Sequence, residues 1–230
     1  MHFSKASLAA LLATGAIAAP LEERQSCPSI HIFGARETTA PAGYGSAGTF
    51  VNLILQAYPG ATAEAINYPA AGSTNQQYAS SVQQGTQNIA NQVNSFNRQC
   101  PNSRLVIVGY SQGAQIGDNA LCGGGDPNQG ITYTYPLITS AASNAIKAVI
   151  WAGNPRNSPA ESSFKWGSCS AGGFDPRPNG FSCPTYQARI RSYCDSADPY
   201  CCNGNNAAAH NNYGSVYGQN ALAFVKSKLG

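Results

Sequence analysis

Charged side chains are scarce in this sequence. Asp, Glu, Lys and Arg make up 10% of the 230 residues, and the formal net charge at neutral pH is only +3. Such a mild excess, with no basic run, gives no basis for binding nucleic acid. The polar surface must therefore consist mainly of Asn, Gln, Ser and Thr, a composition that suits an extracellular protein handling neutral carbohydrate.

Long apolar runs are also missing, which argues against a membrane partner. Residues 6–19 are apolar and follow Lys5, but they are too few to cross a bilayer. Small residues at 16–18 offer a cleavage site for a signal peptidase. We therefore expect a signal peptide over residues 1–19, a pro-segment over 20–25 and one secreted domain over 26–230, because about 205 residues suit a single domain.

Histidine occurs only three times, and the cysteines lack paired C-x-x-C units, which argues against a zinc site. All eight cysteines lie in the expected mature chain. An even number of cysteines in a secreted chain predicts four disulfides. Eight cysteines allow about 105 pairings, so the spacing alone leaves the pairing open.

Strand-like and helix-like segments alternate along the chain. The predicted strands are residues 29–33, 61–68, 105–108, 145–151 and 188–193, and the predicted helices are 49–58, 78–97, 112–122 and 215–228. This alternation predicts a five-stranded, mainly parallel sheet with helices on both faces and catalysis at the carboxyl ends of the strands. The long stretches 123–144 and 152–187 are expected to be surface loops that shape a cleft.

The most informative motif is the pentapeptide Gly-Tyr-Ser-Gln-Gly at residues 109–113, which matches G-x-S-x-G. An apolar strand precedes it and a helix-compatible stretch follows it, the context in which this pattern marks a nucleophilic serine on a strained turn. The flanking glycines leave room for the strand and the helix to approach closely. Ser111 is therefore the predicted nucleophile.

A nucleophilic serine needs a general base, and histidine is the usual one. His2 lies in the expected signal peptide, and His31 alternates with apolar residues in a predicted strand, where a structural role is expected. His210 is the remaining candidate and lies in a polar loop before the last helix. The sequence therefore predicts His210 as the base.

The third member of such a triad is an acid between the serine and the histidine. The acids in this interval are Asp118, Asp126, Glu161, Asp175, Asp195 and Asp198. Asp195 and Asp198 follow a predicted strand, where an orienting carboxylate belongs, and Cys194 and Cys201 bracket them. The residues alone do not choose between these two aspartates.

Several stretches together carry a family resemblance. They are residues 26–28 (Ser-Cys-Pro), 33–39 (Phe-Gly-Ala-Arg-Glu-Thr-Thr), 109–113, 122–126 (Cys-Gly-Gly-Gly-Asp), 194–202 (Cys-Asp-Ser-Ala-Asp-Pro-Tyr-Cys-Cys) with the following His210, and 221–230. With these motifs the mature chain resembles the cutinase-like serine esterases, and within them it looks most like fungal acetylxylan esterases. The resemblance implies a single-domain α/β-hydrolase without a metal or organic cofactor.

The resemblance also implies roles for particular residues. Asp198 rather than Asp195 would orient the histidine, and Thr38 and Gln112 would form the oxyanion hole. The backbone N–H of Gln112 follows the nucleophile, as such a hole requires. The implied disulfides are Cys27–Cys100, Cys122–Cys183, Cys169–Cys202 and Cys194–Cys201.

The acyl group is harder to predict. Tyr200 lies two residues after the implied acid, where its ring could shorten the acyl pocket, and Tyr110 could supply a sugar-binding surface. We expect a monomer that removes acetyl groups from acetylated xylan. The alternatives are a cutinase acting on longer acyl esters and, from another class, a non-catalytic carbohydrate-binding or elicitor protein on a hydrolase scaffold.

Overall fold

The computed structural model describes residues 26–159 and 164–230. Its strands are β1 (Ile30–Ala35), β2 (Thr62–Ala65), β3 (Arg104–Tyr110), β4 (Ile146–Ala152), β5 (Lys165–Trp166) and β6 (Ile190–Tyr193). Its helices are α1 (Gly48–Ala57), α2 (Asn75–Gln99), α3 (Gln112–Cys122), α4 (Ser140–Ala145), α5 (Ala207–His210) and α6 (Tyr213–Leu229). The predicted signal peptide and pro-segment, and the candidate acid Glu161, lie outside the described residues.

The strands form one sheet in the order β2-β1-β3-β4-β6-β5, and every neighbouring pair is parallel. The predicted parallel α/β architecture is therefore confirmed. The strand count was wrong by one, because β5 has only two residues, which is too short to show a period in the sequence. This strand lies inside the predicted loop 152–187 and pairs with β6. The strand order reverses between β1 and β3, and a ligand site is expected at such a switch point.

Two apolar cores lie on the two faces of the sheet because side chains alternate along each strand. Leu105 and Ile107 of β3 pack into one core with α2 and α3, and Val106 and Val108 pack into the other with α1 and α6. The whole of β3 from Leu105 onward is buried, as expected of a parallel strand covered on both faces. The central strand therefore fixes the turn that follows it.

Helix α2 begins three residues before the predicted helix. Thr74 is its N-cap, and the Thr74 side chain accepts a hydrogen bond of 3.2 Å from the N–H of Gln77. A side-chain oxygen in this position satisfies one of the free N–H groups of the first helical turn. This first turn carries Asn75 and Tyr78, which line a cavity together with Ser111.

Four disulfides link loops to one another and to helix ends. They are Cys27–Cys100, Cys122–Cys183, Cys169–Cys202 and Cys194–Cys201, the pairs that the resemblance implies. A native bridge of this kind typically adds about 2–5 kcal/mol of stability. Among the described residues, no helix is both long enough and apolar enough to span a membrane.

Candidate active site

Ser111 lies on a strained turn between β3 and α3. Its backbone angles are φ 51° and ψ −120°, a combination that costs a non-glycine residue about 1–3 kcal/mol. The N–H of Ser111 is held by the carbonyl of Ala152 at 2.8 Å. A Cβ at Gly109 would lie 2.6 Å from the Cα of Ala114, and one at Gly113 would overlap the backbone of Ala35. Both glycines of the motif are thus required by backbone packing.

His210 and Asp198 form a buried pair beside this turn. The Nδ1 atom of His210 lies 2.7 Å from Oδ2 of Asp198, and the two residues are 6% and 0% exposed. His210 ends the short helix α5, whose N-cap Asn206 accepts a hydrogen bond from the N–H of Ala208. With Nδ1 directed at the carboxylate, Nε2 of the ring remains for a proton from the serine.

The carboxylate of Asp198 is fully coordinated by donors. Its Oδ1 accepts the N–H groups of Tyr200 and Cys201 at 2.6 and 3.1 Å, and its Oδ2 also accepts the hydroxyl of Tyr213 at 2.8 Å. Burial alone would raise the pKa of Asp198, but the hydrogen bond and charge of His210, with the other donors, outweigh it and hold this pKa below its usual range. Asp198 therefore stays ionised next to the histidine.

Asp195 has a different environment, although it lies in the same disulfide loop. Its Oδ1 accepts the hydroxyl of Tyr217 at 2.7 Å and the backbone N–H of Ser168 at 3.2 Å. It is only partly buried, and it joins α6 to the loop before Cys169. The structure thus places Asp198, and not Asp195, against His210.

Tyr110 does not contact the cavity, which corrects its predicted role in substrate binding. The residue is 1% exposed, and its hydroxyl donates to the backbone carbonyl of His210 at 2.5 Å. Its ring also packs edge-on against His210 and Tyr213. Because Tyr110 ends the central strand, it fixes the backbone of His210 relative to Ser111.

The loop after β1 brings Thr38 to the cavity that Ser111 and His210 also line. Arg36 anchors this loop, with its Nη2 donating to the carbonyl of Tyr68 at 2.5 Å and its Nε to that of Ala40 at 2.9 Å. Next to Thr38, Thr39 has a positive φ of 64°, and its N–H donates to Ala70, which is also at positive φ. Together with Ser111, these are the non-glycine residues at positive φ in the described chain, so backbone strain is concentrated around the candidate site.

The backbone N–H and the side chain of Gln112 have different roles in the site. It is the first residue of α3, where the N–H groups have no acceptor within the helix and can bind an anion. Its buried side chain accepts from Ser81 at 2.9 Å and donates to the carbonyl of Ala71 at 3.0 Å. The side chain therefore braces the loop beside the site, while the N–H stays available for an oxyanion.

A cavity of about 430 Å³ contains both Ser111 and His210 in its lining. The other lining residues are Glu37, Thr38, Thr39, Gly72, Thr74, Asn75, Tyr78, Pro155, Phe174, Tyr200, Ala207 and Asn211. The volume falls within the range of about 300–1,000 Å³ typical of small-ligand sites. The structure thus brings the predicted nucleophile, base, Thr38 and Tyr200 to one cavity.

Tyr200 is among the residues that line this cavity, with its ring centroid 4.6 Å from that of His210. It is 46% exposed. Sequence reasoning missed Phe174, which is 57% exposed and lines the same cavity from within the loop 152–187. No period or motif marks that residue, and only its tertiary position gives it significance.

A buried polar cluster lies behind the cavity, formed by side chains from α3 and the two long loops. Arg177 pairs with Asp118 at 3.0 Å, and Arg156 pairs with Asp126 at 3.0 Å and Asp175 at 3.6 Å. Three carboxyl groups face two guanidinium groups, so a single proton neutralises the cluster. Burial and the adjoining Asp175 raise the pKa of Asp126 to about 7.

Of the acids considered from the sequence, Asp118, Asp126 and Asp175 therefore belong to this structural support. His31 likewise has a structural role and is not among the described residues that line the candidate cavity. Its Nδ1 lies 2.6 Å from the hydroxyl of Thr62, its ring stacks on Phe96, and burial lowers its pKa to about 4.

A parallel sheet with a serine on a strained turn after its central strand, beside a buried His–Asp pair, defines an α/β hydrolase. The family model described as Cutinase matches residues 26–229, so the chain belongs to the cutinase family. This match spans nearly all of the described residues.

Individual relatives of the chain include an acetylxylan esterase and a cutinase. The chain is 60% identical to "Acetylxylan esterase 2" of Talaromyces purpureogenus over 100% of both chains. It is 59% identical to "Cutinase 11" of Verticillium dahliae over 96% of this chain and 76% of that protein. The 0.90 Å structure of an acetylxylan esterase superposes with a TM-score of 0.86 and 61% identity, covering 89% of this chain and 100% of that one.

Proposed function

We propose that this chain is a secreted acetylxylan esterase, a carboxylic ester hydrolase that removes acetyl groups from xylan. The observation that carries the proposal is the 60% identity to an acetylxylan esterase along the entire chain. The relatives called acetylxylan esterase include a second one, from Hypocrea jecorina, at 52% identity over 96% of this chain. The candidate site supplies the groups that ester hydrolysis needs.

In the proposed mechanism, Ser111 attacks the ester carbonyl while Nε2 of His210 takes its proton. Asp198 holds the required tautomer through the 2.7 Å contact with Nδ1 and stabilises the imidazolium that forms. The backbone N–H of Gln112, with Thr38, stabilises the tetrahedral oxyanion. Removal of one such donor typically lowers kcat by about 10²–10³. The alcohol leaves, and water then hydrolyses the acyl-enzyme.

The cavity favours a short acyl group. Its lining consists of polar, aromatic and small residues, and among the described residues that line it there is no leucine, isoleucine, valine or methionine. Each methylene of a longer acyl chain would gain about 0.8 kcal/mol only if it were buried on an apolar surface. The ring of Tyr200 over His210 further limits the space near the reacting atoms.

A cutinase acting on longer esters is the second candidate, because "Cutinase 11" is nearly as similar to this chain as the acetylxylan esterase is. Release of acetate from acetylated xylan and kcat/KM for aryl acetate, butyrate and octanoate separate the two. We expect an optimum at acetyl and no activity in Ser111→Ala. An optimum at butyrate or longer would favour the cutinase function.

The extracellular location is also part of the proposal. It is supported by the four disulfides, since such bridges persist in oxidising compartments. Expression of the full sequence in a fungal host tests it, with N-terminal sequencing of the protein recovered from the medium. We expect a mature chain that begins near residue 26 and behaves as a monomer in size-exclusion chromatography with light scattering.

A further inference from the structure

A second cavity of about 250 Å³ adjoins the candidate active-site cavity. Asn75, Tyr78 and Phe174 line both cavities, so the two spaces share a wall. The rest of the second lining is Asn128, Gln129 and Asp175. Its volume is below the range of about 300–1,000 Å³ for a complete small-ligand site. It therefore suits one unit of a longer ligand that also occupies the first cavity.

Phe174 lies on the wall between the two cavities. Its ring meets that of Tyr78 edge-on at a centroid distance of 5.6 Å, and its backbone N–H donates to the carbonyl of Tyr200 at 2.8 Å. A Cβ at the preceding Gly173 would collide with the carbonyl of Pro155. The backbone is thus closely packed while the ring is 57% exposed and lines both cavities, and aromatic side chains commonly line ligand pockets.

The wall itself is held from behind by the buried polar cluster. The hydroxyl of Tyr78 donates to Oε1 of Gln115 at 2.6 Å, and Nε2 of Gln115 donates to both Asp126 and Asp175 at 2.9 Å. These two aspartates are 0% and 1% exposed. The Tyr78 ring is therefore fixed before any ligand arrives, which lowers the entropy lost on binding.

The chemistry of the second cavity fits a neutral sugar. Asn75 and Asn128 are exposed, and their amide groups can both donate to and accept from hydroxyl groups. In the described part of the chain, no lysine or arginine lines either cavity, so neither is built for an anion. The exposed face of Phe174 can pack against the C–H face of a pyranose ring. Aromatic and amide groups together recognise this combination of apolar face and hydroxyl edge.

We propose that the second cavity binds a sugar residue next to the acetylated one, on the same polysaccharide chain, with Phe174 as the platform between them. This inference rests on the proposed function, since it takes the chain to be xylan. It assigns Phe174 a role in substrate specificity that is separate from ester cleavage. It also requires that longer oligosaccharides bind better than shorter ones.

Kinetics with Phe174→Ala test the inference. We expect kcat/KM on acetylated xylotriose to fall by about tenfold more than kcat/KM on 4-nitrophenyl acetate, mainly through KM, which corresponds to about 1.4 kcal/mol. Phe174→Tyr should restore the preference, because it keeps the ring. Tyr135→Ala is the matched control, since Tyr135 is 64% exposed but lines neither cavity. Equal losses on both substrates would overturn the inference.

Binding to an inactive enzyme separates this inference from the proposed function. The Ser111→Ala variant is titrated with unacetylated xylohexaose by calorimetry, with and without Phe174→Ala. We expect the second change to weaken binding about tenfold. If the wild type releases no acetate from xylan while this difference persists, the proposed function fails and the sugar subsite stands. No binding by Ser111→Ala, or binding independent of Phe174, overturns the subsite.

Discussion

Replacement of Asp198 by asparagine tests the candidate triad, because the two side chains share a shape but differ in charge. The amide oxygen of the introduced asparagine would keep the place of Oδ1, which accepts the N–H groups of Tyr200 and Cys201. Its NH₂ group would then face Nδ1 of His210 and the hydroxyl of Tyr213. Since an NH₂ group cannot accept a hydrogen bond from an N–H at Nδ1, the variant would favour the histidine tautomer with its proton on Nε2. That nitrogen could then no longer act as the base.

Loss of the orienting carboxylate in a serine triad lowers kcat by about 10⁴. At about 1.36 kcal/mol for each factor of ten, this is about 5.4 kcal/mol in the barrier. Asp195→Asn is the matched control, because Asp195 lies three residues earlier in the same Cys194–Cys201 loop and contacts Ser168 and Tyr217. We expect Asp195→Asn to retain most of the wild-type kcat.

The assay is kcat for an aryl acetate, measured on both purified variants after mass spectrometry has verified four disulfides. Thermal unfolding checks that each variant is folded at the assay temperature. If Asp198→Asn kept kcat within about tenfold of the wild type, the reasoning from the His210 contact would be refuted. A larger loss in Asp195→Asn than in Asp198→Asn would reverse the assignment of the acid.

The same geometry leads to three further predictions. Ser111→Gly and Ser111→Ala should both be inactive, but the glycine variant should be more stable to chemical denaturation by about 1 kcal/mol, since φ 51° strains only alanine; equal stability would argue against strain at this turn. Tyr200→Ala should raise kcat/KM for butyrate relative to acetate, and an unchanged acyl profile would remove Tyr200 as the cause of acetyl preference. Asp126 has a pKa raised from 3.8 to about 7, so its contribution to stability is fully present below pH 3.8 and is lost as the pH rises through 7. Asp126→Asn should therefore make the unfolding free energy depend less on pH between these values, whereas Asp195→Asn should not. If the unfolding free energies of the two variants changed in parallel with pH, Asp126 would be excluded as the titrating group.

The sheet could be predicted from the sequence because its signals are local. The apolar run of β3, the glycines of the pentapeptide and the helix after it are contiguous in the chain, and each has a direct steric or periodic cause. The choice between Asp195 and Asp198 could not be made from spacing, because both follow β6 in one short disulfide loop. The fold decides it by burying Asp198 and directing it at His210.

The support of the site could not be predicted for a different reason. The pairs Asp118–Arg177 and Asp126–Arg156 join residues 59 and 30 positions apart, between α3 and two loops that have no period. Charged residues in loops are usually exposed to solvent, and nothing in the local sequence indicates that these charged residues are buried. The position of Phe174 was unpredictable on the same grounds, since its role depends on which residues pack against its backbone.

The buried cluster is better explained by positioning than by stability. Replacing buried ion pairs by apolar residues of similar volume is often neutral or stabilising, because desolvation offsets much of their attraction. Yet this cluster lies directly behind the cavity and reaches it through Gln115 and the hydroxyl of Tyr78. Directional hydrogen bonds fix the orientation of that ring, which apolar contacts would not do. These hydrogen bonds therefore give the cavity that contains Ser111 a rigid wall. Rigid surroundings also hold the strained backbone of Ser111 in place.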